Sequence, residues 1–223
     1  MNESPNAMQQ KLQNGLQALG LDLSAKQREQ LLRYMELLAQ WNKVYNLTAV
    51  RNPVEMLTHH VLDSLAVISP LRRYTQGKAV NLLDVGSGGG LPGVVIAICC
   101  PEVQVTCVDA VAKKTAFIQQ VAGMLGLRNL RAQHSRIENI HTPHELIISR
   151  AFASLPDFAA WSVSALTADG VWLAMKGKQP LDEMEALPEF VEVFHLELLQ
   201  VPGLDAERCL VWMKKHASTS IVA

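Results

Sequence analysis

A chain of 223 residues, 49% of them apolar, can bury a sizeable core, and its length suits one domain with an added subdomain rather than two equal domains. The formal net charge of −1 excludes a global electrostatic pull toward nucleic acid, so any RNA-binding surface has to be a local patch of Lys and Arg. The longest apolar run, Val94 to Cys100, is too short to span a bilayer, and the polar start lacks a charged and then apolar leader pattern; a cytoplasmic protein with no membrane partner is expected.

The pattern is helical up to about Gln76. Ser24 followed three residues later by Gln27 reads as a capping box, after which Leu31, Met35 and Leu38 share one helical face until about Asn46. Asn52, with Pro53 at the first helical position and Glu55 in the first turn, starts a second helix carrying Leu57, Val61, Leu65 and Ile68. Residues 1–75 are therefore expected to form an N-terminal helical cap, and 76–223 a second unit. In that unit short apolar runs at 80–85, 103–109, 130–133, 146–149 and 171–175 read as strands buried on both faces, with helices at 92–99, 111–125 and 155–166 between them. Alternation of this kind predicts an α/β fold, a doubly wound, mostly parallel sheet with helices on both faces. Runs at 190–199 and 208–214 flank the turn Pro202-Gly203, so a hairpin is expected to close the sheet with an antiparallel strand. Cys99, Cys100, Cys107 and Cys209 lie in apolar runs without Cys-x-x-Cys spacing, which predicts buried, reduced thiols. His141 and His144 flank Pro143 in an expected turn with no Cys or acidic cluster nearby, so no metal site is expected.

The chemistry begins at Asp84-Val-Gly-Ser-Gly-Gly-Gly-Leu-Pro-Gly93. At the carboxyl end of a strand in an open α/β sheet, a tight glycine turn lets the backbone approach a ligand closely, and Gly86, Gly88 and Gly90 supply it. A strict dinucleotide fingerprint would have its third glycine where Leu91 stands. Asp84, two residues before the first glycine, suits a cationic amino-acid group and would repel a pyrophosphate. Asp109 ends the next strand, where a carboxylate can accept both ribose hydroxyls of an adenosine. The pair favours S-adenosyl-L-methionine over NAD; the alternative is a purely structural glycine connection with Asp109 capping the following helix.

No Asn-Pro-Pro-Tyr or Asp-Pro-Pro-Tyr stretch follows the fourth strand to hold an exocyclic amine, and no Cys stands there as a nucleophile; the chain reads Ser149-Arg-Ala-Phe-Ala-Ser-Leu155 instead. An acceptor that is already nucleophilic fits best. Trp41-Asn-Lys-Val-Tyr-Asn-Leu-Thr48, His60-Val-Leu-Asp-Ser64, the loop ending Leu91-Pro-Gly93, Ser135-Arg-Ile-Glu138, Ser149-Arg-Ala-Phe-Ala-Ser154 and Lys176-Gly177 together resemble the bacterial 16S ribosomal RNA guanine-N7 methyltransferase family, also called the glucose-inhibited division protein B family. The resemblance runs from about Leu12 to Lys215 and leaves the first ten residues and the tail after His216 without a role. It implies a class I methyltransferase fold, S-adenosyl-L-methionine as cofactor with S-adenosyl-L-homocysteine as product, and a guanine of the decoding-site loop, in 16S rRNA, the small ribosomal subunit or an assembly intermediate, as acceptor. It also places cofactor contacts at Gly86, Leu91, the Ile137-Glu138 pair and Arg150. Gly89 stands where family members often have Ala or Pro, a departure that frees the loop backbone.

Guanine N7 carries a free lone pair and no proton at neutral pH, so the implied reaction needs no general base and can rest on alignment, worth on the order of 7–11 kcal/mol. Arg136 and Arg150 are the candidates for gripping phosphate or guanine O6, with Lys176 third. Each has a plainer alternative: Arg150 a solvated strand end, Arg136 a pairing with Glu138. His59 and His60 lie in a helix patterned for packing, with a direct role in RNA binding as the alternative, and the helical spacing of Tyr34, Trp41 and Tyr45 favours core packing over stacking on a base. Arg51, Arg72, Arg73, Lys78, Lys113, Lys114, Arg128 and Arg131 are scattered, and the resemblance leads us to expect them on a basic rim around the cofactor cleft. A small-molecule methyltransferase and a non-catalytic binding protein remain as alternatives on the same fold, and a monomer is expected.

Overall fold

In the computed structural model, whose described residues are 5–216, five α-helices precede the first strand: α1 (Pro5–Ala18), α2 (Ala25–Tyr45), α3 (Pro53–Met56), α4 (Asp63–Leu65) and α5 (Ile68–Thr75). The predicted caps are present. The Ser24 side chain accepts from the Gln27 N–H while the Gln27 side chain accepts from the Ser24 N–H, and Asn52 caps Val54 with Pro53 in the first turn. Asn46 ends α2 in the left-handed conformation. Two features depart from expectation. Helix α1 occupies a stretch whose Gln and Asn residues mask a narrow apolar stripe, Leu12 and Leu16, both fully buried. The second predicted helix is not continuous: Leu57–Leu62, between α3 and α4, winds as a π-helix, which brings His59 and His60 onto an irregular turn. Gly15 lets α1 reach this turn, since a methyl there would overlap Leu62. The tail residues 217–223 lie outside the described residues.

The remaining helices alternate with seven strands: β1 (Asn81–Val85), α6 (Gly93–Cys99), β2 (Gln104–Asp109), α7 (Ala112–Leu125), β3 (Leu130–His134), β4 (His144–Arg150), α8 (Leu155–Ser162), β5 (Leu166–Lys176), α9 (Leu181–Glu185), β6 (Val191–Leu198) and β7 (Cys209–Lys215). One sheet holds them in the order β3-β2-β1-β4-β5-β7-β6. The first five strands pair in parallel, and β7 pairs antiparallel with both β5 and β6. The C-terminal hairpin is therefore present, with its second strand inserted next to β5. Strand β5 begins at Leu166, earlier than the apolar run suggested, because the polar stretch Thr167 to Asp169 disguises its start; α8 correspondingly ends at Ser162 and a short 3-10 turn, Val163–Ala165, follows. His144, expected in a turn, is the first residue of β4 and is buried.

Strand alternation divides the core in two. Leu82, Val105, Cys107, Leu146, Ile148 and Leu173 face the same apolar cluster as α6, α7 and the N-terminal helices, including Leu31, Leu38, Val61 and Leu71. Leu83, Val85, Val108, Ile147, Trp172 and Val211 face the other, beneath Leu155 and Phe158 of α8. The N-terminal helices thus share a continuous core with one face of the sheet, and this packing fixes them against the carboxyl ends of β1, β4 and β5. The four cysteines are free and buried.

Candidate active site

The turn after β1 folds back on the neighbouring strand: the N–H groups of Gly86 and Ser87 both donate to the Val108 carbonyl, at 2.9 and 3.2 Å. Gly86, Gly88 and Gly90 all have positive φ, a region that costs any residue with a Cβ roughly 1–2 kcal/mol. At Gly86 there is a second reason for glycine, because a methyl would overlap the ring of Phe152. A third tether comes from the N-terminal helices, where the buried Tyr34 hydroxyl donates to the Gly89 carbonyl at 2.6 Å.

Two clefts open at the carboxyl ends of the parallel strands and meet at Gly86 and Ala151, which line both. One, of about 580 Å3, lies beyond β2 and β3 and is walled by Asp109, Lys114, Arg136, Ile137, Glu138, Phe152 and Trp161. The other, of about 510 Å3, lies between the sheet and the N-terminal helices and is walled by Leu38, Thr48, His59, His60, Asp63, Gly88, Leu91, Arg150, Lys176 and Arg208. Of the residues expected to contact cofactor or substrate, all but Asp84 line one of these clefts, and Gly90 of the turn lines neither.

Asp84 is wholly buried. Strand alternation turns it to the same face as Leu82, away from both clefts, where its Oδ2 accepts from the Gly93 N–H at 2.8 Å and lies 3.8 Å from Cys107 Sγ. Its Oδ1 is buried with no partner among the described residues. Burial pushes the Asp84 carboxyl up to about 7, opposed by the Gly93 N–H and by Arg150. Contact with a cationic ligand group is thus not its position here: it fastens the start of α6, and Gly93 is glycine because a methyl would collide with this carboxylate and Cys107. Asp109, by contrast, stands in the cleft wall. Its Oδ2 accepts from the Gly88 N–H at 3.0 Å and from Lys114 at 3.4 Å, and its Oδ1 accepts from the Val111 N–H at 2.9 Å. It both ties the glycine turn and caps the chain entering α7.

Arg150 and Lys176, at the ends of β4 and β5, converge on the second cleft, whereas Arg136 is exposed on the rim of the first. Arg150 donates to Asp63 Oδ2 at 2.7 Å and to the His59 carbonyl at 3.0 Å. Asp63 Oδ1 accepts from Arg208 Nε at 2.8 Å. Asp63 is only 3% exposed, so a single buried carboxylate from α4 is shared by two guanidiniums, and the cluster carries net positive charge. Lys176 donates to the Ala153 carbonyl and to Glu183 of α9, both at 2.8 Å. His60 Nε2 lies 2.7 Å from Thr48 Oγ1, and burial together with Arg150 pushes its imidazole down to about 4, leaving it neutral at pH 7.

Asp63, Arg208, Phe152 and Trp161 were not singled out in the sequence. Asp63 lies in the motif His60-Val-Leu-Asp-Ser64 and Phe152 in Ser149-Arg-Ala-Phe-Ala-Ser154, but the arginine partners of Asp63 stand 87 and 145 residues away along the chain. Of the eight scattered cations only Lys114 lines a cleft. Arg72 is taken up by the Cys99 carbonyl and Arg73 by Glu197. Among the described residues there is no group of three or more His, Cys, Asp and Glu side chains that could hold a metal, and no helix is long and apolar enough to cross a membrane.

The fold is that of class I methyltransferases. A crystal structure of coclaurine N-methyltransferase bound to N-methylheliamine and SAH superposes with a TM-score of 0.56 at 11% identity, covering 96% of this chain and 90% of that one. TrmN from Thermus thermophilus gives 0.55 at 16% identity over 72% of this chain, which spans 53% of TrmN. Relatives in sequence are far nearer. The ribosomal RNA small subunit methyltransferase G of Polaromonas sp. (strain JS666) is 63% identical over 92% of this chain and 93% of its own length. The protein of the same name from Paracidovorax citrulli (strain AAC00-1) is 58% identical over 96% and 93%. The family model described as rRNA small subunit methyltransferase G matches residues 27–211. With the glycine turn, the Asp109 cleft and the Arg150 cluster all inside that span, the chain belongs to the rRNA small subunit methyltransferase G family.

Proposed function

We propose that this protein uses S-adenosyl-L-methionine to methylate N7 of a guanine in 16S ribosomal RNA, leaving S-adenosyl-L-homocysteine. The observation that carries the reading is the meeting of two unlike clefts at Gly86 and Ala151. The Asp109 cleft has two cations against two carboxylates and suits an uncharged nucleoside; the Arg150 cleft has two arginines sharing one carboxylate and suits an anionic polymer.

The residues present fit the cofactor. Gly86 and Gly88 leave the turn free of side chains where the clefts join, and Asp109 offers a carboxylate at the position that receives ribose hydroxyls in open α/β sheets. Ile137 and Glu138 flank the same cleft, and Leu91 and Arg150 the other. When bound, the cofactor supplies an electrophilic methyl group on a sulfonium. What the chain supplies is position. Of the three side chains in the Arg150 cleft suited to accept a proton, Asp63 and His60 are engaged and His59 is exposed at the cleft wall. Both Asp63 oxygens are occupied by arginines, and His60 is fixed on Thr48. An acceptor that brings its own lone pair, as guanine N7 does, matches this arrangement. Arg150 and Arg208 keep further N–H groups for phosphate or guanine O6, Arg136 extends the grip along the rim, and Lys176 braces the loop after β4. A small-molecule methyltransferase would want an apolar enclosure for its acceptor, whereas this cleft sets His59, His60, Asp63, Arg150, Lys176 and Arg208 among its Leu, Met and Gly residues.

In the same reading residues 1–75 act as a helical cap whose Asp63 reaches across to the sheet, and 76–223 carry the cofactor. One chain completes both clefts, in keeping with a monomer, and an rRNA substrate is in keeping with a cytoplasmic protein. The test is to incubate the protein with labelled cofactor and 16S rRNA or 30S particles lacking the modification, then map the methylated nucleotide. The expected result is 7-methylguanosine in the decoding-site loop, with RNA affinity falling steeply with salt. Arg150→Ala should lower the single-turnover rate and Arg150→Lys should rescue little. Methylation of a small molecule but not rRNA, or a rate that rises steeply with one ionisation near neutral pH, would overturn the reading.

A further inference from the structure

Helix α2 ends in an aromatic stack that reaches the surface. The centroid of the Tyr45 ring lies 4.9 Å from that of Trp41, and Trp41 lies 5.4 Å from the buried Phe117 of α7. Packing accounts for Tyr34, which is fully buried, but Tyr45 keeps 41% of its exposure and its neighbour Val44 keeps 70%. Helices α2 and α7 run antiparallel, since Gln30 near the start of α2 donates to the Leu125 carbonyl at the end of α7 while Trp41 meets Phe117. Lys113, one turn before Phe117, therefore comes to the Tyr45 end of α2. Arg51 joins them, donating at 3.4 Å to the side-chain oxygen of Asn46, the residue after Tyr45, and Lys43 is exposed in the same last turn. Residues 37–54 and 110–137, which supply this surface, contain no Asp or Glu. Among the described residues neither Lys43 nor Lys113 forms an ion pair.

We infer that Tyr45 is a stacking platform for an unpaired base of the RNA, with Arg51 and Lys113 beside it for the phosphates, an inference that rests on the reading of 16S rRNA as the substrate. A ring backed by two others is a rigid π-face that loses little freedom on binding, and any base can stack on it. Cations with no carboxylate among them complement a polyanion and repel a basic partner. Position agrees with chemistry. Leu47 and Thr48, two and three residues after Tyr45, line the Arg150 cleft, and Lys114, next to Lys113, lines the Asp109 cleft. The platform thus borders both clefts, where it holds a nucleotide flanking the guanine while the guanine itself enters the Arg150 cleft. Tyr45 is a binding residue for the strand and takes no part in methyl transfer.

The test uses the full chain and 30S particles lacking the modification. Tyr45→Leu keeps an apolar contact with Trp41 but has no π-face, so it should weaken binding to the particle about 5- to 150-fold, the range of base–aromatic stacking. Its affinity for adenosylhomocysteine, measured by calorimetry, should match wild type. Tyr45→Phe and Tyr45→Trp should bind the particle within about threefold of wild type, because stacking needs a ring and not a hydroxyl. Lys113→Gln should lower the slope of log affinity against log salt by about one, whereas Tyr45→Leu should leave that slope as it is. Ultraviolet cross-linking of the wild-type complex should join the tryptic peptide 44–51 to RNA. If wild type binds and methylates the particle and Tyr45→Leu does both equally well, the platform is refuted and the rRNA reading stands. An equal loss in Tyr45→Phe, or RNA cross-links confined to other peptides, refutes it too. Weakened binding of Tyr45→Leu to the particle with unchanged affinity for protein-free 16S rRNA overturns it and assigns the surface to a ribosomal protein. If wild type neither binds nor methylates the particle, the rRNA reading fails and the inference with it. A circular-dichroism melt of Tyr45→Leu is expected to match wild type; should that variant unfold, Tyr45→Phe, the salt slope and the cross-link decide.

Discussion

Replacing Asp63 by Ala should destabilise the protein by about 2–3 kcal/mol. Removing one partner of a fully buried ion pair costs about 3–5 kcal/mol, because the other charge is left without compensation. Here two charges are stranded, Arg150 and Arg208, but their side chains retain 18% and 24% of their exposure at the cleft wall, so solvent recovers part of that cost. For a chain of this length each kcal/mol moves the melting temperature by roughly 2–4 °C, which predicts a fall of about 4–12 °C. Asp63→Asn keeps one oxygen acceptor and should lose about half as much. A double-mutant cycle separates the ion pair from general damage: adding Arg208→Ala to Asp63→Ala should cost less than Arg208→Ala costs alone, with a coupling of about 1 kcal/mol or more. The measurement is urea unfolding at pH 7.5 in low and high salt. Additive effects in the cycle, or an Asp63→Ala protein as stable as wild type, would refute the assignment of Asp63 as the shared counter-charge.

Gly86→Ala and Gly88→Ala test sterics against backbone strain. Both positions have positive φ, but only Gly86 faces Phe152, a methyl at Gly88 meeting nothing closer than the Gly86 carbonyl at 3.9 Å, so Gly88→Ala should cost about 1–2 kcal/mol and Gly86→Ala clearly more, and Phe152→Ala should recover part of the difference in thermal melts. Asp84→Asn should change stability in a pH-dependent way. The native carboxyl holds its proton up to about 7 while the unfolded one releases it near 3.9, so the wild type is most stable below the unfolded value and loses that stability as pH rises through 7. The gain of Asp84→Asn over wild type should therefore grow by roughly 2–3 kcal/mol between pH 5 and 8 in denaturant titrations, and a flat difference would show that the carboxyl ionises normally. Tyr34→Phe removes the hydroxyl on the Gly89 carbonyl and should cost about 1–2 kcal/mol, as a buried acceptor left unpaired does; cofactor affinity measured by calorimetry should fall with it.

The parts of this molecule that could be read from the sequence are those set by local rules. Ser24 and Gln27, or Asn52 and Pro53, cap helices within one turn of chain, and apolar strands between glycines declare themselves by composition. Asp109 could be placed because the end of the second strand has a fixed relation to the glycine turn. Asp84 was misplaced because its distance from Gly86 was used and its strand parity was not: Leu83 and Val85 face one core and Leu82 the other, which leaves Asp84 pointing at α6 and Cys107. The Asp63 cluster was out of reach for a different reason. Its partners lie 87 and 145 residues away, and charged residues at strand ends carry no periodicity that relates them. The same holds for the scattered cations, whose neighbours, not their number, decide that Arg72 and Arg73 serve the fold while Arg150 and Arg208 face a cleft.

The placement of Asp63 also explains how a nearly neutral chain can meet a polyanion without sacrificing stability. Two arginines left unpaired beside a buried turn would repel each other and resist desolvation. One carboxylate from the N-terminal helices lowers that penalty, yet it leaves the cluster positive and uses only part of each guanidinium's five donors. The same contact joins three pieces of chain, α4, the end of β4 and the segment between β6 and β7, at the mouth of the cleft. Positive charge and rigidity are then one feature: the donors that would meet a phosphate are held by the group that makes their proximity tolerable. For the proposed reaction, which asks for alignment rather than proton transfer, that is the kind of site required, because a loosely held arginine could attract the nucleic acid but could not fix the position of one base.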